Sequence, residues 1–177
     1  DGIVTRYDTQ ADFLVAASWK TFDVRPISPS ITARGFHGAT FDGRYIYFVQ
    51  YVDSGTPSGV MTRYDTKADF ATAGSWAFFD VRTLNASAAG YFGGAFDGRY
   101  MYAVPNHTGA PCLLARYDTQ GSFGASWTTF DTTTVNASLS GFAGGAFDGR
   151  FVYLVPQNNG VVARLDTSTA DFKKMKY

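Results

Sequence analysis

The chain has 177 residues, 45% hydrophobic and 17% charged, and its 15 basic residues balance 15 acidic ones to a net charge of +0. That length suits one domain with a sizeable core. The balance leaves no basic excess for a nucleic-acid partner, and no run approaches the roughly 18 apolar residues of a membrane-spanning helix.

In chain order, Ile3–Tyr7 and Ser18–Phe22 read as two strands, the second led by Trp19. Thr9–Ala17 between them, like its copy Thr66–Gly74, has room for a short turn of helix. A longer unit follows over 35–80. Its second run, Tyr45–Val49, is apolar on both alternating faces, which predicts burial on both sides. The next unit, 91–131, has four runs: Tyr91–Phe96, Arg99–Val104, Cys112–Tyr117 and Ser126–Phe130. The last, 142–177, has Phe142–Phe147, Phe151–Val155 and Val161–Leu165, and its fourth strand has to come from Phe172–Tyr177. Asp97-Gly98, and the same pair in the other units, predicts a two-residue hairpin turn with both positions at positive φ.

Three marker strings recur in fixed order. Arg-Tyr-Asp-Thr stands at Arg6, Arg63 and Arg116, with Arg164-Leu165-Asp166-Thr167 as a variant. Ser-Trp-x-x-Phe-Asp begins at Ser18, Ser75 and Ser126; Phe-Asp-Gly-Arg begins at Phe41, Phe96 and Phe147. Asp42 and Asp97 are 55 residues apart, Asp97 and Asp148 51. A period of about 50 is that of propeller blades. Every acidic residue is Asp, a turn former, and Glu is missing, which also favours β structure. The expected fold is all-β: a β-propeller of four-stranded antiparallel blades, about 3.5 in this chain, with 1–23 as a half-blade.

Tyr45-Ile46-Tyr47-Phe48-Val49, a Gly-bearing loop, Arg63-Tyr64-Asp65-Thr66 and Ser75-Trp76 resemble the kelch repeat family. The family's double Gly follows its second strand, whereas here Gly93-Gly94 and Gly144-Gly145 lie in the first. The resemblance implies a propeller that binds partners through loops on one face, and it implies no particular chemistry.

Half a blade set leaves two apolar sheet faces open. The chain is therefore expected to be part of a longer propeller, to assemble with a second copy, or to close as a four-bladed ring with its first half-blade completing the last blade.

The repeated Asp and Arg residues carry a structural expectation: Arg44, Arg99 and Arg150 pair with nearby Asp side chains. Residues that vary between copies are better site candidates. The loops joining second to third strands and blade to blade emerge on one face, and they carry Arg25, Tyr51, Asp53, Arg82, Asn106, His107, Asn158 and Asn159. His37 stands where other copies have Gly93 or Ala143/Gly144. Neutral polar groups, Arg and aromatic faces suit a glycan or a polar protein surface. Asn85, Asn106 and Asn136 match the N-glycosylation acceptor pattern, of use if the chain is secreted from a eukaryote. The location leans extracellular.

No Asp-x-Asp-x-Asp run or His cluster supports a metal, no glycine loop cradles a phosphate, and no cofactor is expected. The single Cys112 reads as a buried hydrophobe, and the Lys173-Lys174-Met175-Lys176 run as solvated. The expected function is a non-enzymatic binding module for carbohydrate or protein. The alternatives are a self-assembling structural protein and an enzyme with its site at the channel mouth.

Overall fold

The computed structural model describes residues 1–157, 159–169 and 175–177. β1 (Ile3–Tyr7) and β2 (Trp19–Asp23) pair as a two-stranded sheet. The first full blade contains β3 (Phe36–Phe41) and β4 (Tyr45–Gln50). A small hairpin, β5 (Val52–Asp53) and β6 (Thr56–Pro57), interrupts it before β7 (Val60–Asp65) and β8 (Trp76–Asp80). The second blade is β9 (Tyr91–Phe96), β10 (Tyr100–Pro105), β11 (Leu113–Asp118) and β12 (Trp127–Asp131). The third is β13 (Phe142–Phe147), β14 (Phe151–Pro156) and β15 (Ala163–Asp166). Every ladder is antiparallel. The chain is an all-β propeller of four-stranded blades with a half-blade at its start.

The expected fourth strand of the last blade is present as a bridge: the Arg164 and Lys176 backbones exchange hydrogen bonds of 2.8 and 2.9 Å. Residues 170–174, with Phe172, Lys173 and Lys174, lie outside the described residues. Lys176 occupies the edge of β15, and β1 pairs with β2. Among the described residues, then, the half-blade does not complete the third blade, which corrects the four-bladed ring. The helix expected in Thr9–Ala17 and Thr66–Gly74 shrinks to single 3₁₀ turns at Ala16–Ser18 and Ala73–Ser75.

The marker strings explain themselves in the coordinates. Asp42 accepts the backbone N–H of Arg44 (2.8 Å) and Tyr45 (2.6 Å) through Oδ1 and the Tyr47 hydroxyl (2.6 Å) through Oδ2. Asp97 and Asp148 repeat this with Tyr102 and Tyr153. The hairpin loop itself is shifted one residue from expectation. The Asp42 N–H bonds to the Tyr45 carbonyl, so the two loop residues are Gly43 and Arg44, and Gly43 alone takes positive φ (99°). Glycine at the first loop position gives the required twist, which frees Asp42 to cap the turn with its side chain. Arg44, Arg99 and Arg150 each pair with the Asp of the next string: Asp65 (2.7 Å), Asp118 (2.8 Å) and Asp166 (3.0 Å).

The core consists of three inter-blade layers. Val4 and Phe22 of the half-blade pack on Tyr64, Phe70 and Trp76 of the first blade. Tyr47, Val49 and Met61 pack on Met101, Tyr117 and Trp127 of the second. Tyr102, Val104 and Leu114 pack on Val152, Leu154 and Leu165 of the third. The inner strands β3, β9 and β13 nearly touch: a Cβ on Gly38 would sit 2.3 Å from the Phe92 carbonyl oxygen.

Candidate functional site

The blade-to-blade and second-to-third-strand loops are tied together by main-chain bonds. Tyr51 N–H donates to the Gly35 carbonyl (3.0 Å), and Ser58 N–H to that of Tyr51 (2.9 Å). Gly90 N–H then donates to Ser58 (2.9 Å), Asn106 N–H to Gly90 (2.8 Å), Gly141 N–H to His107 (2.8 Å) and Gln157 N–H to Gly141 (2.9 Å). This relay runs across all three blades and holds their loops on one face.

On that face a cleft of about 320 Å³ lies beside the β5–β6 hairpin, framed by Arg34, Asp53, Asp80 and Arg82. The hairpin turns through Ser54 and Gly55, both at positive φ (49° and 86°), and so projects Asp53 toward Arg34. The Arg34 Nε donates to Asp53 Oδ1, and its Nη2 donates to the Ser54 hydroxyl at 2.6 Å. Arg82 chelates Asp80 through Nε (2.9 Å) and Nη2 (2.6 Å). The Asp80 carboxylate raises the Arg82 pKa further, so its charge is permanent. Ser30, Thr32, Thr56 and Ser58 add hydroxyls, and the four charges cancel. A second cleft, of about 370 Å³, shares Thr56, Pro57 and Arg82 and extends to His107 and Pro111. Arg82 is the wall between the two.

The predicted residues separate in the structure. Asp53 and Arg82 meet at the first cleft, and His107 joins Arg82 at the second. His37 stacks on Phe92 (centroids 4.3 Å apart, planes 5°), with the Tyr51 ring edge-on to both at 5.1 and 4.3 Å. His37 matches Phe92, not the Gly93 expected from the sequence, and of the Ala143/Gly144 pair it matches Ala143: Gly38, Gly93 and Gly144 pair with Val49, Val104 and Val155, and the residue before each glycine is bulged out of register. A bulge re-aims its side chain, here out of the ladder. Arg25 chelates Asp23 (2.6 Å) as Arg82 does Asp80, but outside both clefts.

Asn106 is interior. Its Nδ2 donates to the Phe142 carbonyl (2.8 Å) and to Gln157 Oε1, so both amide hydrogens are occupied in locking the second blade to the third. Asn85 and Asn136 sit in exposed and half-buried turns, each accepting the N–H two residues on. Asn159 Nδ2 bonds the Ser138 and Ser140 carbonyls, and Asn158 lies outside the described residues.

Sequence reasoning missed Arg34. The signal was available: the positions equivalent to Arg34, before Gly90 and Gly141, are Ala89 and Ser140. Among the described residues, no group of three His, Cys, Asp or Glu side chains converges, and no helix is long and apolar enough to cross a membrane.

No protein-family model matches the chain, and no curated protein does either. Solved structures do match. One, a crystal structure of a nidogen/laminin complex, aligns with a TM-score of 0.59 at 14% identity, over 96% of this chain and 56% of the other. The chain thus spans little more than half the length of that structure's chain, and at such identity the likeness is one of fold.

Proposed function

We propose that the chain is a binding module that takes a polar segment of another protein on its loop face, in the clefts on either side of Arg82. The observation that carries this reading is the two Arg–Asp ion pairs, Arg34–Asp53 and the bidentate Arg82–Asp80, set on loops held together by main-chain bonds. Preformed loops lose little entropy on binding, and Arg is enriched at protein interfaces. The structural likeness is to a chain from a protein–protein complex, and the kelch-like resemblance adds the expectation of binding through loops on one face.

The test is selection of displayed peptides on the immobilised protein, with a glycan array in parallel. Selected peptides should bind saturably, and Arg82→Ala should weaken them by about tenfold, about 1.4 kcal/mol. Saturable binding to glycans alone, or peptide binding indifferent to Arg82→Ala, refutes the reading.

A further inference from the structure

The first two of the three joints inside the chain follow one pattern. At the first, Arg6 of the half-blade donates to the Tyr64 hydroxyl (3.3 Å), lies 4.7 Å over the Phe70 ring, and Phe22 stacks on Trp76 (5.7 Å, 24°). At the second, Arg63 donates to the Tyr117 hydroxyl (3.3 Å), lies 4.4 Å over Phe123, and Phe79 stacks on Trp127 (5.7 Å, 10°). Each of these two joints thus sets an Arg on the leading blade against a Tyr–Phe–Trp trio on the following one, whereas the third blade has Leu165 at the Tyr position and no Trp.

Each half of this joint recurs at an end of the stack. Tyr7, Phe13 and Trp19 form the trio on the outer face of the half-blade. Tyr7 stacks on Trp19 at 4.8 Å and 29°, as Tyr64 does on Trp76 at 4.7 Å and 29°. The Tyr7 hydroxyl donates to the Ala11 carbonyl (2.7 Å), as that of Tyr64 does to Ala68 (3.0 Å), which leaves its oxygen able to accept. Yet Phe13 is 60% exposed against 4% and 5% for Phe70 and Phe123, and Trp19 38% against 6% and 4% for Trp76 and Trp127. At the other end, Arg164 lies 4.4 Å over Phe151, the pose of Arg63 over Tyr45 (4.3 Å) and Arg116 over Tyr100 (4.4 Å). Around it Val162 is 52% exposed where Met61 and Leu114 are 0%, and Val155 45% where Val49 and Val104 are 0%.

We propose that these two faces bind each other between copies: the Arg164 face of one molecule seats on the Tyr7–Phe13–Trp19 face of a second, as one more blade joint. Arg164 donates to the partner copy's Tyr7 hydroxyl and covers its Phe13, while Val155 and Val162 are buried. The contact joins unlike surfaces, so copies link head to tail, into a ring where the rotation closes and a filament where it does not.

Sedimentation of the whole chain over a concentration series tests this. Mass should rise with concentration, to a plateau for a ring or without limit for a filament. Phe13→Asp and Val162→Asp each place a charge on an exposed position, so both should keep the native circular dichroism and melting temperature while remaining monomeric alone. Mixed one to one, they should form a dimer and nothing larger, because one intact head and one intact tail remain. A wild-type chain that stays monomeric, variants that still self-associate, or a mixture that stays monomeric overturns the proposal.

Discussion

Gly38, Gly93 and Gly144 occupy one position in three successive inner strands, yet the same substitution should have three different effects. A Cβ on Gly38 would lie 2.3 Å from the Phe92 carbonyl oxygen and 2.9 Å from Gly93 Cα. Both are backbone atoms, so β3 and β9 must separate, an overpacking cost of about 1–3 kcal/mol. A Cβ on Gly93 would meet Gly144 Cα at 3.0 Å, which a shift of a few tenths of an ångström relieves, and one on Gly144 meets nothing within 4 Å. Against these costs stands a gain of about 0.4–1 kcal/mol from the stiffer unfolded chain. Gly38→Ala should therefore lose about 1–2 kcal/mol, Gly93→Ala should be near neutral, and Gly144→Ala should gain about 0.5 kcal/mol. Urea unfolding reads the order directly. In a chain this long the first and last variants should melt about 4–8 °C apart. Equal losses at all three positions, or the largest loss at Gly144, would refute the inter-blade contact as the cause.

Acid should unfold the protein through its repeated carboxylates. Arg25 holds Asp23 at about 2 against the usual 3.8, and Asp166 is held at about 2 by the Ser168 hydroxyl and then Arg150. Asp65 and Asp118 are lowered chiefly by Arg44 and Arg99. Since the folded values lie below the unfolded ones, this stabilisation is complete above about pH 3.8 and lost as pH falls toward 2. Urea midpoints over that window should fall, and Asp118→Asn should flatten the slope; a midpoint that rises on acidification contradicts the pairing. Cys112 is buried, and burial raises its thiol pKa. A disulfide reagent should label it only as fast as the chain unfolds, and prompt labelling of the native protein would show an open path to it.

Much of this architecture was legible because each repeated residue has a local partner. Asp42, Tyr47 and Arg44 make their contacts within one hairpin and its neighbouring strand, so a short string specifies them, and its recurrence specifies the blade. Burial of β4 and β10 on both faces followed from their unbroken apolar runs, whereas Val155 on β14, with the same apolar run around it, is 45% exposed among the described residues. The site was less legible. The bulge that lifts His37 out of register adds one residue to a ladder, which spacing by marker strings cannot detect. The β5–β6 hairpin replaces a plain loop, and its turn relies on Ser54 rather than a glycine pair. Arg34 and Asp53 are 19 residues apart, and only the folded strap and hairpin bring them together. Asn106 looked like a loop polar group, but its amide instead satisfies the buried Phe142 carbonyl and the Gln157 side chain in the next blade.

The relay through Gly35, Gly90 and Gly141 is made of main-chain atoms alone. Side chains on the loops it joins, His107 and Arg34 among them, can be exchanged without removing any strut of that frame. Such a face is open to diversification: a library randomised at those positions would vary specificity while the fold beneath stays constant, as in scaffolds built for affinity reagents.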